Sequence, residues 1–190
     1  KKTSLSMFSK PRSTGIIAVD LKPGDKLVDA QITDGNQQIM LVGSHGKAIK
    51  FKESDVRPMG RGAAGVRGIK LPNNETVIAL VIVQDGMLLS ATEHGFGKRT
   101  AIDDFPMQRR GGQGVIAIQT TDRNGKAVSS ILVEEDDEVM LISSGGTLVR
   151  TPVQDISIIG RNTQGVTLIR VEEGQRLVGL ARIELIEDES

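Results

Sequence analysis

The chain of 190 residues contains no cysteine, no tryptophan and no tyrosine, and only four phenylalanines. Without cysteine, a disulfide framework and a thiolate metal site are both excluded. The thiol and the phenol, two common covalent nucleophiles, are missing as well. So few aromatic rings leave almost no platform for stacking, on which recognition of single strands and splayed RNA bases rests. No segment sustains a 3.6-residue apolar period with caps, which confines helix to single turns in loops. That removes any recognition helix for the major groove. No apolar run is long enough to cross a bilayer and no signal peptide is recognisable, so no membrane partner is expected. Neither a Gly-x-x-x-x-Gly-Lys-Ser/Thr phosphate loop nor a Gly-x-Ser-x-Gly elbow occurs.

What the chain does have is glycine, 22 of them, placed at regular intervals. Gly15, Gly65, Gly114 and Gly165 each open a short run rich in β-branched residues and stand 50, 49 and 51 residues apart. A second marker confirms the period: Gly46, Gly95 and Gly146 each lie 19 residues ahead of the junction glycine of their own unit. One cycle predicts strands over 27–32, 39–42, 48–51 and 66–69, separated by turns at Asp34-Gly35-Asn36 and Gly46 and by a loop from Glu53 to Ala64. Four strands in about fifty residues describe a propeller blade. A stack of hairpins in a β-solenoid competes with this, but the unit is too long for a solenoid rung. The expected organisation is one all-β, propeller-like domain over 1–183, with repeats near 1–25, 26–75, 76–125 and 126–176, a closing strand at 177–183 and an acidic tail at 184–190. Lys1-Lys2-Thr3 matches Lys98-Arg99-Thr100, so the sequence opens in mid-unit and reads as a piece of something longer.

The net charge is zero, yet the charges are segregated along the repeat. Residues 1–15, 46–70, 95–118 and 146–170 hold the third strand and junction loop of each unit. Together they carry 18 of the 24 Lys and Arg but 5 of the 24 Asp and Glu. Equivalent positions of successive blades recur around the ring, so these cations are expected to form a discontinuous belt, the electrostatic footprint of nucleic-acid binding. Its candidate members are Lys2, Arg12, Lys47, Lys50, Lys52, Arg57, Arg61, Arg67, Lys98, Arg99, Arg109, Arg110, Arg150, Arg161 and Arg170. The centre is the stretch Gln108, Arg109, Arg110, Gly111, Gly112, Gln113, Gly114, where an arginine fork can meet a phosphate and loop N–H groups add donors. The glycines themselves serve backbone geometry. His45 and His94 occupy equivalent turns, and without cysteine or clustered carboxylates they make a poor metal site. The run from Glu134 to Glu138 reads as a solvated hairpin loop. With no platform and no recognition helix, the expected contact is with the backbone of a duplex, insensitive to sequence except through its ease of bending.

Several stretches resemble the C-terminal domain of bacterial DNA gyrase A: Phe51-Lys52-Glu53-Ser54-Asp55-Val56-Arg57, Gly97-Lys98-Arg99-Thr100, Thr121-Asp122-Arg123-Asn124-Gly125 and Ile159-Gly160-Arg161-Asn162-Thr163-Gln164-Gly165-Val166. The resemblance runs over residues 1–183. It implies a β-pinwheel, a disc whose blades exchange strands, usually six of them, with DNA wrapped around a basic rim to direct strand passage and negative supercoiling. The family's box, Gln-Arg-Arg-Gly-Gly-Lys-Gly, belongs to its first blade. Residues 108–114 match it except for Gln113, and by register this copy falls near the fifth blade. The resemblance further implies a bacterial, cytoplasmic, nucleoid-associated protein whose partners are double-stranded DNA, the rest of gyrase A and the gyrase B protein. The holoenzyme is an ATP-hydrolysing type II topoisomerase; ATP and Mg2+ act elsewhere in it, and this segment is expected to carry no catalytic residue and no cofactor. The competing readings are the equivalent domain of topoisomerase IV, a propeller used as a protein scaffold, and a propeller enzyme with carboxylates converging on the central channel.

Overall fold

The computed structural model describes residues 1–183, so the acidic tail expected over 184–190 lies outside the described residues. Each glycine turn closes a two-stranded hairpin. β1 (Gln38–Gly43) and β2 (Lys47–Lys52) flank Gly46, β4 (Met87–Thr92) and β5 (Phe96–Ala101) flank Gly95, and β8 (Glu138–Ser143) and β9 (Leu148–Pro152) flank Gly146. The three glycines sit at φ of 78°, 80° and 85°, a conformation that a side chain disfavours and a tight hairpin requires. Register is identical in all three, with Met40 opposite Lys50, Leu89 opposite Arg99 and Met140 opposite Arg150.

The sheets do not follow the sequence repeats. β3 (Val77–Val83), which opens a unit, pairs antiparallel with β1 of the unit before it. In the same way β7 (Ala127–Val133) pairs with β4, and β11 (Leu177–Ile183) pairs with β8. The strand expected over 177–183 pairs as the third member of a series, each joined to the first strand of the hairpin before it. The two-residue strands after the junction glycines also cross over: β6 (Val115–Ile116) pairs with β2, and β10 (Val166–Thr167) with β5. The outcome is two four-stranded sheets, β3-β1-β2-β6 and β10-β5-β4-β7, and a three-stranded sheet, β11-β8-β9.

Strand exchange also explains two expected strands that do not form. Residues 27–32 and 66–69 are outside any ladder. In the other units the equivalents of 27–32 pair with the first strand of the preceding hairpin, and no such hairpin precedes residue 27 among the described residues. Val66 and Arg67, at the positions equivalent to β6 and β10, likewise have no partner strand among the described residues. Leu27, Val28 and Ile32 are consequently exposed.

Burial lies between sheets, as in a propeller. Met40, Val42, Ala79 and Val81 of the first sheet pack with Leu88 of the second and with Ile102 and Phe105 of the turn that follows β5. Leu89, Ala91 and Val133 of the second meet Val139, Leu141, Leu177 and Leu180 of the third. The three sheets touch through β3, β7 and β11, which are thus the inner strands. β2 with β6, and β5 with β10, form the outer edge. A single 3-10 turn follows each third strand (Glu53–Asp55, Ile102–Asp104, Val153–Asp155) and starts the loop that leads to the next junction glycine.

Candidate nucleic-acid interface

The loop at 108–114 hangs from the outer edge of the first sheet. It arrives parallel to β2, with Met107 bridged to Lys50 and the Gln108 N–H donating to the Lys50 carbonyl at 2.8 Å. It leaves antiparallel, with Val115 opposite Ala48 and Ile116 opposite Lys47. The reversal needs Gly114, which sits at φ 73° with its missing Cβ position 2.3 Å from the Ala48 carbonyl oxygen. The next unit repeats the trace: Ile158 bridges Arg99, and the Gly165 Cβ position lies 2.5 Å from the Gly97 carbonyl oxygen.

Each loop is tied to the junction segment of the unit before it by two recurring hydrogen bonds. Lys70 N–H donates to the Gly112 carbonyl and Gln119 N–H to that of Thr163, both at 2.8 Å, with a longer 3.5 Å counterpart from Asp20 N–H to Ala63. The arginine four residues before the junction glycine reaches back to a carbonyl two residues after the previous one. Arg61 donates to Ile17, Arg110 to Arg67 and Arg161 to Ile116, at 2.9, 2.9 and 3.0 Å. Arg110 also donates through Nε to the Asp55 carbonyl at 2.9 Å, and Arg161 lies over the Phe105 ring. These half-buried arginines join neighbouring units.

A lysine lies beneath two of the loops. Lys98 is fully buried, and its Nζ donates to the carbonyls of Gly160 and Arg161 at 2.5 Å and to Thr163 Oγ1 at 3.0 Å. Burial, together with the nearby Arg161 charge and against the opposing Asp104, lowers its pKa from 10.5 to about 8. Lys1 Nζ donates in the same way to the carbonyls of Gly60 and Arg61. Under the 108–114 loop the equivalent residue is Ile49.

The fifteen cations predicted to contact DNA therefore separate into groups. Arg12, Lys52, Arg57, Arg67, Arg109 and Arg170 are exposed, and Lys47 is half-buried. None of the seven has a side-chain partner among the described hydrogen bonds and ion pairs. Lys50, Lys98 and Arg99 correct the expectation, because they lie inside the fold with their charges occupied. Lys50 Nζ donates to the Ile102 carbonyl at 3.1 Å, and Arg99 donates to the Ile156 and Gln154 carbonyls while pairing with Glu135 at 2.6 Å. Lys2 turns back to the Glu53 carbonyl at 3.2 Å, and Arg150 is exposed but paired with Glu138. Arg61, Arg110 and Arg161 are the ties already described.

Three further features were hard to read from residues alone. The acidic run at 134–138 is a structured turn: the Glu134 N–H bonds Asp137, while Glu135, Asp137 and Glu138 pair with Arg99, Arg182 and Arg150. Asn124 is fully buried and holds the Thr121–Gly125 turn against the next loop, donating to the Gln119 and Gln164 carbonyls. His94 is a turn residue, its Nδ1 3.0 Å from the Arg123 carbonyl oxygen, but His45 faces a basic pocket with Lys70, a cation outside the predicted set. Its phase, five residues beyond a junction glycine, was the available signal.

Blades that exchange strands at their edges and pack on one another through their inner strands define a β-pinwheel, a propeller-like class. A family model described as the DNA gyrase C-terminal domain, beta-propeller, matches residues 1–34, 37–84, 86–134 and 137–184, one segment per repeat. The chain belongs to the DNA gyrase C-terminal domain family. It is 50% identical over 191 residues to the DNA gyrase A protein of Salmonella typhimurium, covering 100% of this chain and 22% of that protein. It is 52% identical over 185 residues to the DNA gyrase A protein of Pseudomonas aeruginosa, covering 97% of this chain and 20% of that protein. The chain thus spans about a fifth of the length of these curated relatives. A solved DNA gyrase A C-terminal domain superposes with a TM-score of 0.83 at 27% identity over 90% of this chain and 59% of its own. A topoisomerase IV C-terminal domain gives 0.90 at 25% identity over 96% and 58%.

Proposed function

We propose that this chain is a DNA-binding module of a gyrase, which holds duplex DNA along its outer edge through phosphate contacts and bends it so that strand passage is directed toward negative supercoiling. The observation that carries this is the set of cations without a side-chain partner among the described residues, above all Arg57, Arg67, Arg109 and Arg170, at the loops and junction segments of the outer edge. Contacts of that kind bind backbone without reading sequence, and bending a site of 20–30 bp through 40–90° costs on the order of 1–6 kcal/mol, offset only by contacts along the arc. In this reading the segment works without catalytic groups of its own. Strand cleavage, ATP and Mg2+ belong to the rest of gyrase A and to the gyrase B protein, in the bacterial cytoplasm at the nucleoid. The topoisomerase IV domain shares the fold, whereas the family match and the gyrase relatives favour gyrase.

Binding of a mixed-sequence duplex, followed by fluorescence anisotropy across a salt series, tests the reading. With about six phosphates engaged, log K falls against log salt with a slope of roughly −5. A slope near zero, or a preference for single strands, overturns it.

A further inference from the structure

Beside the 108–114 loop the surface opens into a pocket of about 220 Å³ lined by His45, Lys47, Lys70, Leu71, Pro72 and Gln113. Separate stretches deliver its polar groups. Lys47 opens β2 and stands opposite Ile116, two residues beyond Gly114. Lys70 is held against the loop by its own N–H, which donates to the Gly112 carbonyl at 2.8 Å. Gln113 belongs to the loop itself. His45 precedes the turn glycine, and its ring lies over Gly43, where an added Cβ would come within 2.5 Å of Nδ1.

The pocket is poised for an anion. No carboxylate lines it, and neither ammonium has a hydrogen-bond or ion-pair partner among the described residues. His45 Nδ1 is buried without a partner among the described residues, which favours the neutral tautomer with its proton on Nε2. Burial is the main reason that the ring's pKa lies below 6.5, with Glu75 opposing and Lys47 adding to the shift. At neutral pH the pocket therefore offers two cations and two neutral donors, the imidazole N–H and the Gln113 amide. Such a set matches a phosphodiester, whose oxygens accept several hydrogen bonds around one negative charge.

We propose that this pocket is a phosphate subsite of the DNA-binding edge, taking one phosphodiester of the duplex between Lys47 and Lys70, with Gln113 and His45 as donors. The inference rests on the DNA-binding reading above.

Duplex binding by Lys47→Gln with Lys70→Gln, measured over a salt series, tests this. Loss of one phosphate contact makes the slope shallower by about 0.9 and weakens binding roughly tenfold. Lys70→Gln alone shows part of this loss, and adding Gln113→Lys to it restores slope and affinity, because a cation from the third side of the pocket meets the same phosphate. An unchanged slope in the double variant, or no rescue by Gln113→Lys, overturns the subsite while the DNA-binding reading stands. A wild-type chain that binds no duplex overturns that reading instead. Titration of inorganic phosphate, followed by the His45 ring signals in NMR, then decides the pocket alone. A saturable shift, lost in the double variant, supports it, and no shift removes it.

Discussion

Two loops of this molecule have the same trace and opposite floors. Residues 108–114 reverse over Ile49 and residues 159–165 over Lys98, at equivalent positions and both fully buried. Above each floor the same parts recur: a bridge to the neighbouring strand, a junction glycine, and an arginine reaching back to the previous unit. An isoleucine and a lysine can hold the same loop because backbone hydrogen bonds and glycine geometry set its path. Over the apolar floor Arg109 is exposed, and Lys47 and Lys70 flank the loop. Over the other, one lysine is turned inward to cap the carbonyls of Gly160 and Arg161. A basic residue at the right phase of the repeat is thus either a ligand contact or an internal fastening, and only its surroundings distinguish the two.

The largest effect should come from the part the loops share. Gly114→Val and Gly165→Val each place a branched side chain at positive φ and within 2.5 Å of a carbonyl oxygen. Strain and overpacking together cost roughly 4 kcal/mol or more, enough to lower the melting temperature steeply or prevent folding. If either variant melts like the wild type, the loop path is not glycine-dependent and the comparison loses its common frame.

Arg110→Ala and Arg161→Ala come next. Arg110 caps two carbonyls, whereas Arg161 caps one and covers Phe105, so urea denaturation should show each variant destabilised by about 1–3 kcal/mol. The DNA salt slope should stay unchanged while the fold is intact. A shallower slope with undiminished stability would return these arginines to the list of phosphate contacts.

Arg109→Glu sharpens the contrast from the other side. This arginine is exposed and has no described partner, so its reversal should leave the melting temperature alone. Duplex affinity should fall roughly tenfold with a slope shallower by about 1, as measured by anisotropy. Unchanged affinity would mean that the DNA path misses the 108–114 loop.

The contrast between ligand and fastening marks the limit of what residues alone reveal here. Period, turn positions and blade-like strands were legible because glycine at positive φ is a local requirement with a sequence signature. Gly15, Gly65, Gly114 and Gly165 all adopt it. Charge segregation was legible for the same local reason. Strand exchange was not, since Val77–Val83 looks alike whether it pairs forward or back; only the family resemblance implied it. Nor can sequence distinguish Lys98 from Lys52. Both belong to basic third strands, but Lys98 lies inside β5 beneath a loop, whereas Lys52 is the last residue of β2 and reaches solvent; Lys50, on the same strand face as Lys52, is buried. The pocket at His45 was hidden because its residues come from three stretches that only the fold brings together, through the β2–β6 pairing and the tie from Lys70 to Gly112.

The finest test asks whether the lysine floor differs from the isoleucine floor in the way burial demands. Lys98→Met gives the second loop an apolar floor like the first, and its salt slope for DNA should be unchanged because Lys98 touches no ligand. The pH dependence of stability should differ. The Lys98 ammonium has a pKa of about 8 in the folded chain against 10.5 when solvated. Between those values the unfolded chain holds a proton that the folded chain has released, so wild-type stability rises with pH through that window. Below pH 8 the penalty for burying the charge is present in full. Urea denaturation of both proteins should therefore show the wild type gaining about 1 kcal/mol on Lys98→Met between pH 7 and pH 9, from linkage at ~1.4 kcal/mol per pH unit. Comparing the two proteins cancels groups that titrate alike in both. Parallel stability curves across that range would show that three hydrogen bonds hold the ammonium charged as firmly as water does. The two floors would then be electrostatically equivalent, and the inward lysine would be a fastening without a proton switch.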